Sequence, residues 1–204
     1  MLEEAVAALD RGDVVVLPTE TVYGLAARAD RPDATQKVFD LKGRDTEKVL
    51  QALVPDVSWL DRLGDASDVA RAIGREFWPG PLTLVVRARD DTPTTIVKAG
   101  TVGVRVPDNA TTLAVLQRIG AVAASSANRS GQSTPDNIAA IRALFGDAVG
   151  AYVDGGTIVG TGSTVIDLTS DEPRLIREGP LPFDRVEAVT RMCREDAPSD
   201  GKSI

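Results

Sequence analysis

The hydrophobic pattern divides the chain into short segments whose period switches between that of a helix and that of a strand. Residues 2–8 have amphipathic helical spacing, and Asp10-Arg11-Gly12-Asp13 then leads into Val14-Val15-Val16-Leu17, a fully apolar run suited to a buried strand. Helical spacing returns at 34–41 and 66–77. Strands are expected at 82–86, 101–106, 121–124, 150–153, 164–168 and 174–176, rich in Val, Ile and Thr and bounded by Gly, Pro or Asp. Capping chemistry adds three helices: 111–119 after Asp108 and Asn109, 135–145 with Thr134 as N-cap and Pro135 at the first helical position, and 185–193 after Asp184. Strands and helices alternate irregularly, so the expected class is α/β with a mixed, twisted sheet. No repeat or linker interrupts residues 1–193, which predicts one domain; residues 194–204 are charged and aperiodic, as in a mobile tail.

Composition narrows the chemistry. Among 204 residues, 43% are hydrophobic and 26% charged, enough apolar material for a real core. No apolar run reaches the ~18 residues of a membrane span, and Glu3 and Glu4 stand where a signal peptide would carry bases, so the expected location is cytoplasmic, without membrane contact. The single Cys193 and the lack of any histidine exclude a cysteine and histidine zinc set and an imidazole-driven nucleophile. A net charge of −7 and 4% aromatic residues argue against binding nucleic acid by bulk charge or by base stacking.

Polar clusters recur where apolar strands end. Pro18-Thr19-Glu20-Thr21-Val22-Tyr23-Gly24-Leu25 leaves the first strand, where α/β sheets commonly place ligands, although a hydroxyl-rich turn satisfying its own backbone has the same composition. Lys42-Gly43-Arg44 places two cations about a glycine, a pattern suited to an anion or to a solvated surface. Trp78-Pro79-Gly80-Pro81-Leu82-Thr83 is a rigid turn suited to buttressing. Arg105 ends an apolar strand before Pro107, and Ala124 to Gly131 is a small-residue loop whose hydroxyls and backbone N–H groups suit phosphate. Ser163 and Arg177 repeat the theme. Gly160-Thr161-Gly162 lacks the third glycine of a dinucleotide fingerprint, and Gly201-Lys202-Ser203 lacks the first glycine of a P-loop.

Taken in order and spacing, Pro18 to Leu25, Lys42-Gly43-Arg44, Trp78 to Thr83, Arg105-Val106-Pro107, Ser126-Ala127-Asn128 with Ser130-Gly131, Ser163 to Asp167 and Arg177 resemble the YrdC family, which comprises the threonylcarbamoyl-AMP synthases. The resemblance implies an open twisted α/β sheet with flanking helices around a deep basic cavity. It also implies a reaction that joins L-threonine, bicarbonate and ATP into threonylcarbamoyl-AMP and pyrophosphate, for a threonylcarbamoyl transferase complex to pass to tRNA. By the same resemblance, Lys42, Arg44, Ser126 and Asn128 are catalytic. Arg44, Lys48, Thr101, Ser126, Thr134 and Arg177 contact ATP, and Thr21, Arg105, Ala124 and Ser163 contact threonine. The run Asp45-Thr46-Glu47-Lys48-Val49 replaces the family's usual prolines, Lys48 stands where asparagine is common, and Leu53 stands where some members have histidine. Mg²⁺ is expected on the triphosphate, with no protein metal ligands. The rival readings are an RNA-binding protein of the same fold and a related enzyme that makes another carbamoyl-adenylate.

Overall fold

Residues 1–43, 50–170 and 172–195 are described in the computed structural model of the chain. Helix α1 (Leu2–Arg11) runs past its expected end at residue 8, because Leu9 continues the buried stripe of Ala5, Val6 and Ala8, and Gly12, at φ 82°, supplies the left-handed residue that closes it. There follow β1 (Val15–Leu17), β2 (Gly24–Arg28), α2 (Pro32–Lys42), β3 (Gln51–Leu53), α3 (Trp59–Leu63), β4 (Gly64–Asp65), α4 (Asp68–Phe77) and β5 (Leu82–Ala88). The second half contributes β6 (Val97–Lys98), β7 (Thr101–Arg105), α5 (Ala110–Ile119), β8 (Val122–Ser126), α6 (Ile138–Phe145), β9 (Ala151–Tyr152), β10 (Thr164–Asp167), β11 (Arg174–Arg177) and α7 (Phe183–Glu195).

Most expected elements are present, with three kinds of correction. Strands β2, β3, β4 and β6 and helix α3 were not expected from the pattern. Helix α6 starts at Ile138 with Asn137 as its cap, Oδ1 accepting from the Ala140 N–H, and not at Pro135 under Thr134. The Asp136 carbonyl accepts from the Ile158 N–H, which ties that residue into the loop instead. Arg194 and Glu195, expected in the tail, complete α7, and residues 196–204 lie outside the described residues.

All eleven described strands join one open mixed sheet in the order β11-β10-β5-β7-β3-β8-β2-β1-β9, with β4 on β5 and β6 on β7. The pairs β1 with β9, β3 with β7 and β5 with β10 are parallel; the others are antiparallel. Alternation along each strand separates two faces. On the back face Leu25, Ala52, Leu82, Leu84, Val86, Val102, Val104, Ala123 and Ile166 form one core with residues of α2, α3, α4, α6 and α7. On the front face a second core joins Val15, Leu17, Ala26, Leu53, Val122 and Ala124 to α1 and α5. That second core stops at β3. Across β7, β5 and β10 the front positions are Thr101, Gly103 and Arg105, then Thr83, Val85 and Arg87, then Val165 and Asp167, and none of them belongs to either apolar cluster.

Candidate active site

The uncovered half of the front face collects polar groups at one end. Arg105, the last residue of β7, is 2% exposed. Its Nη2 lies 2.8 Å from Glu20 Oε2 and donates to Thr21 Oγ1 at 2.9 Å, and its Nε donates to the Gly80 carbonyl at 3.3 Å. Burial pushes this guanidinium below its usual range, while the Glu20 carboxylate pulls it back and the Arg177 charge opposes it. Thr21 is positioned from its own turn. Thr19 Oγ1 donates to the Val22 carbonyl, accepts from the N–H groups of Thr21 and Val22, and lies 2.9 Å from Thr21 Oγ1. Within the Pro18 to Leu25 segment Thr19 satisfies the backbone and Thr21 meets the buried cation. The Trp78 to Thr83 turn buttresses the same point, with Trp78 Nε1 donating to the Leu82 carbonyl at 2.7 Å.

A second cluster sits where β10 and β11 begin and end. Thr83 Oγ1 donates to Gln51 Oε1 at 2.8 Å, so its hydroxyl accepts from Ser163 Oγ at 2.7 Å. Arg177, opposite Val165 across the ladder, donates through Nε and Nη2 to the Ser163 carbonyl at 3.0 and 2.8 Å, and partial burial lowers its pKa. Gly162 permits that packing, since a Cβ there would fall 2.8 Å from Arg177 Nη2.

The third cluster is the loop after β8. Lys42 closes α2, is 3% exposed, and donates to the Ser126 carbonyl at 2.5 Å and to the carbonyl and Oδ1 of Asn128 at 3.0 Å each. Ser126 Oγ donates to Asn128 Oδ1, and the Ser130 N–H donates to the Lys42 carbonyl at 2.9 Å. Lys42 thus fixes the loop's shape through these bonds.

Of the expected residues, the structure brings Thr21 and Arg105 together, links Ser163 to Arg177, and links Lys42, Ser126 and Asn128. Ala124 lies opposite Gln51 across β8 and β3 and belongs to the front apolar core. Thr101 shares the front face with Arg105 but stands at the other end of β7, about 13 Å away at the usual strand rise, where Arg87, Thr101 and Thr169 border a recess of about 450 Å³. It does not join the cluster around Arg105. Thr134 lies on the loop between β8 and α6. Arg44 and Lys48 lie outside the described residues. Three further residues of the site, Glu20, Gln51 and Thr83, were not anticipated. Glu20 and Thr83 fall within motifs already noted, whereas Gln51 gives no signal without the unforeseen β3.

Among the described residues no three His, Cys, Asp or Glu side chains cluster as metal ligands. The carboxylates near this face are engaged already, Glu20 with Arg105 and Asp167 with Arg174 and Thr169. The side chains described do not make a magnesium cage.

Comparison with known proteins bears on what gathers at this face. A curated threonylcarbamoyl-AMP synthase of Bacillus subtilis is 38% identical over 193 residues, 92% of this chain and 56% of that protein. The crystal structure of P. abyssi Sua5 complexed with L-threonine superposes with a TM-score of 0.87 at 34% identity, covering 92% of this chain and 56% of that one. E. coli YciO superposes with a TM-score of 0.83 at 25% identity over 89% of this chain and 90% of its own. The chain therefore spans a little over half the length of the B. subtilis and P. abyssi proteins, and nearly all of YciO. The family model described as telomere recombination, Sua5/YciO/YrdC, matches residues 7–179, a range that holds Thr21, Arg105, Ser126, Ser163 and Arg177: the chain belongs to the Sua5/YciO/YrdC family.

Proposed function

We propose that this chain forms threonylcarbamoyl-AMP and pyrophosphate from L-threonine, bicarbonate and ATP. The observation that carries the reading is a set of buried polar groups at and beside the front face where the second core stops: Arg105 on Thr21, Ser163 on Thr83 and Arg177, and Lys42 on the Ser126 to Asn128 loop. Support comes from the B. subtilis relative and from the bound L-threonine in P. abyssi Sua5.

In this reading Arg105 holds the threonine carboxylate, and the Thr21 and Ser163 hydroxyls meet the substrate hydroxyl. The threonine nitrogen bonds to the bicarbonate carbon as water leaves, giving a carbamate. A carbamate oxygen then attacks the α-phosphorus, and the bond to the departing pyrophosphate breaks. Such transfers are catalysed mainly by positioning and charge stabilisation, so a site without histidine suffices. Ser126, Asn128 and Arg177 line the triphosphate, with Arg44, Lys48 and Thr134 as further contacts. Lys42 keeps the Ser126 to Asn128 loop in shape. Mg²⁺ would arrive on the triphosphate oxygens and supply charge neutralisation there. A threonylcarbamoyl transferase complex acting on tRNA in the cytoplasm would consume the adenylate.

The test is pyrophosphate release from ATP with threonine or bicarbonate omitted in turn, and detection of the adenylate by mass. Release that needs both supports the reading. Release that needs bicarbonate and a different amine favours the related carbamoyl-adenylate enzyme, and RNA binding without release favours the RNA-binding protein.

A further inference from the structure

Among the described residues one buried side-chain polar atom has no partner, and it is Glu20 Oε1. Its companion oxygen is fully used, 2.8 Å from Arg105 Nη2 and accepting from the Asp108 N–H at 3.1 Å. Buried carboxylate oxygens are nearly always paired, so an orphan one needs a reason. Its position supplies one. Arg105 Nη2 bridges Glu20 and Thr21, so the orphan oxygen belongs to the same group of side chains that the reading above gives to the amino acid. Arg105 itself has Nη1 to spare, since its described bonds run through Nε and Nη2.

An ion pair with a spare acceptor on the anion and a spare donor on the cation complements a zwitterion. We propose that Glu20 Oε1 accepts a hydrogen bond from the substrate α-ammonium while Arg105 Nη1 donates to the α-carboxylate, making Glu20 the residue that selects an α-amino acid over the corresponding hydroxy acid. The inference rests on threonine being the substrate, and it adds a determinant that reads the ammonium separately from the carboxylate and the side-chain hydroxyl. It also fits the charges that reach Arg105: Arg177 is a cation, so of the two Glu20 is the one able to favour an ammonium.

The experiment is calorimetric binding of L-threonine and of 3-hydroxybutyrate, which keeps carboxylate and hydroxyl but has hydrogen in place of the ammonium, to the wild-type chain and to Glu20→Gln. Wild type should prefer threonine. Glu20→Gln should weaken threonine about 10- to 150-fold, the range for a hydrogen bond to a charged group, and leave 3-hydroxybutyrate within about threefold. Equal weakening of both ligands would mean that Glu20 acts only by holding Arg105, and no change in either would leave Oε1 outside the pocket; each overturns the proposal. Failure of the wild type to bind threonine would instead remove the reading on which it rests. Glu20→Asp, which keeps the charge and withdraws the oxygens, covers the case where Glu20→Gln does not fold: threonine alone should weaken, and parallel weakening overturns the proposal.

Discussion

The two halves of the sheet's front face have the same backbone and opposite chemistry. Over β1, β2 and β8 the front positions are Val15, Leu17, Ala26, Val122 and Ala124, sealed by α1 and α5. Over β7, β5 and β10 they are mostly polar, Thr101, Arg105, Thr83, Arg87 and Asp167, with Gly103, Val85 and Val165 among them and no part of the second core above. The back positions of the same strands do not change: Leu82, Leu84, Val102, Val104 and Ile166 are as buried as Leu25 and Ala27. A sheet sealed on one face and half-sealed on the other leaves one surface on which polar groups can be held rigidly by strands and still meet a ligand.

The sharpest way to break that comparison is to remove a charge from the open half. Arg105→Met takes a buried cation from the partly buried Glu20 carboxylate, and the loss should approach that of breaking a buried pair, about 3–5 kcal/mol. Arg87→Met, on the same face but exposed, should stay within about 0.5 kcal/mol. Urea denaturation measures both. If the two cost the same, Arg105 is not part of a buried constellation.

Next in size is a comparison of neighbours on β5. Leu84→Ala opens a hole in the back core and should cost about 2–5 kcal/mol, while Val85→Ala, half-buried on the open side, should cost under about 1 kcal/mol. Comparable losses would mean that Val85 is covered and that the front face is closed here too. Lys42→Met follows, expected to cost about 1–3 kcal/mol by removing the buried ammonium that ties the Ser126 carbonyl to the carbonyl and Oδ1 of Asn128. If the loop lines the triphosphate as proposed, the variant should raise the KM for ATP more than that for threonine. The reverse order would return Lys42 to the amino-acid site.

A smaller effect tests the edge of the open half. Burial pushes the Asp167 carboxyl up, but the bonds from Arg174 and Thr169 outweigh it and hold the pKa below the ordinary 3.8. A depressed carboxylate pKa contributes stability above its unfolded value, and that stability is lost as pH falls through the folded one. Stability should therefore drop below about pH 4, and Asp167→Asn should flatten part of that drop. An unchanged acid limb in this variant would mean that other carboxylates carry it.

Much of this was legible in the sequence, and the failures have physical causes. Strands β1, β5, β7 and β10 announced themselves because their back faces are continuously apolar. Gly24-Leu25-Ala26-Ala27-Arg28 did not, since a strand with Ala26 in one core and Ala27 in the other needs small residues, and those carry little strand propensity. At the site, Thr21, Arg105 and Ser163 stood out as polar residues at strand ends. Lys42 stood out as well, but which oxygens its ammonium meets depends on the approach of α2 to the loop after β8, a tertiary matter that spacing does not contain. The misplaced start of α6 is similar: Thr134 and Asn137 are both good caps, and the bond from the Ile158 N–H to residue 136 decides between them.

The smallest expected effect on stability carries the finest test of the open half. Gly103 lies between Thr101 and Arg105 on the front face, and a Cβ there would make ordinary contact, 3.4 Å from Thr83 Cγ2. Gly103→Ala should therefore leave the fold unchanged or stabilise it by up to about 0.5–1 kcal/mol, because glycine inside a strand is less favourable than alanine. The same methyl group would stand on the floor of the open face. If ATP extends from Arg177 toward Thr101, it must cross this floor, and the KM for ATP should rise roughly tenfold, as about 1.4 kcal/mol of overpacking gives. If threonine is held at the Arg105 end as proposed, its KM should be affected less. A thermal melt and steady-state kinetics on the one variant separate the outcomes: a higher melting temperature with weaker ATP binding places nucleotide over Gly103, whereas unchanged ATP kinetics would remove Thr101 from the site and leave the ligands to the groups around Arg105, Ser163 and Lys42.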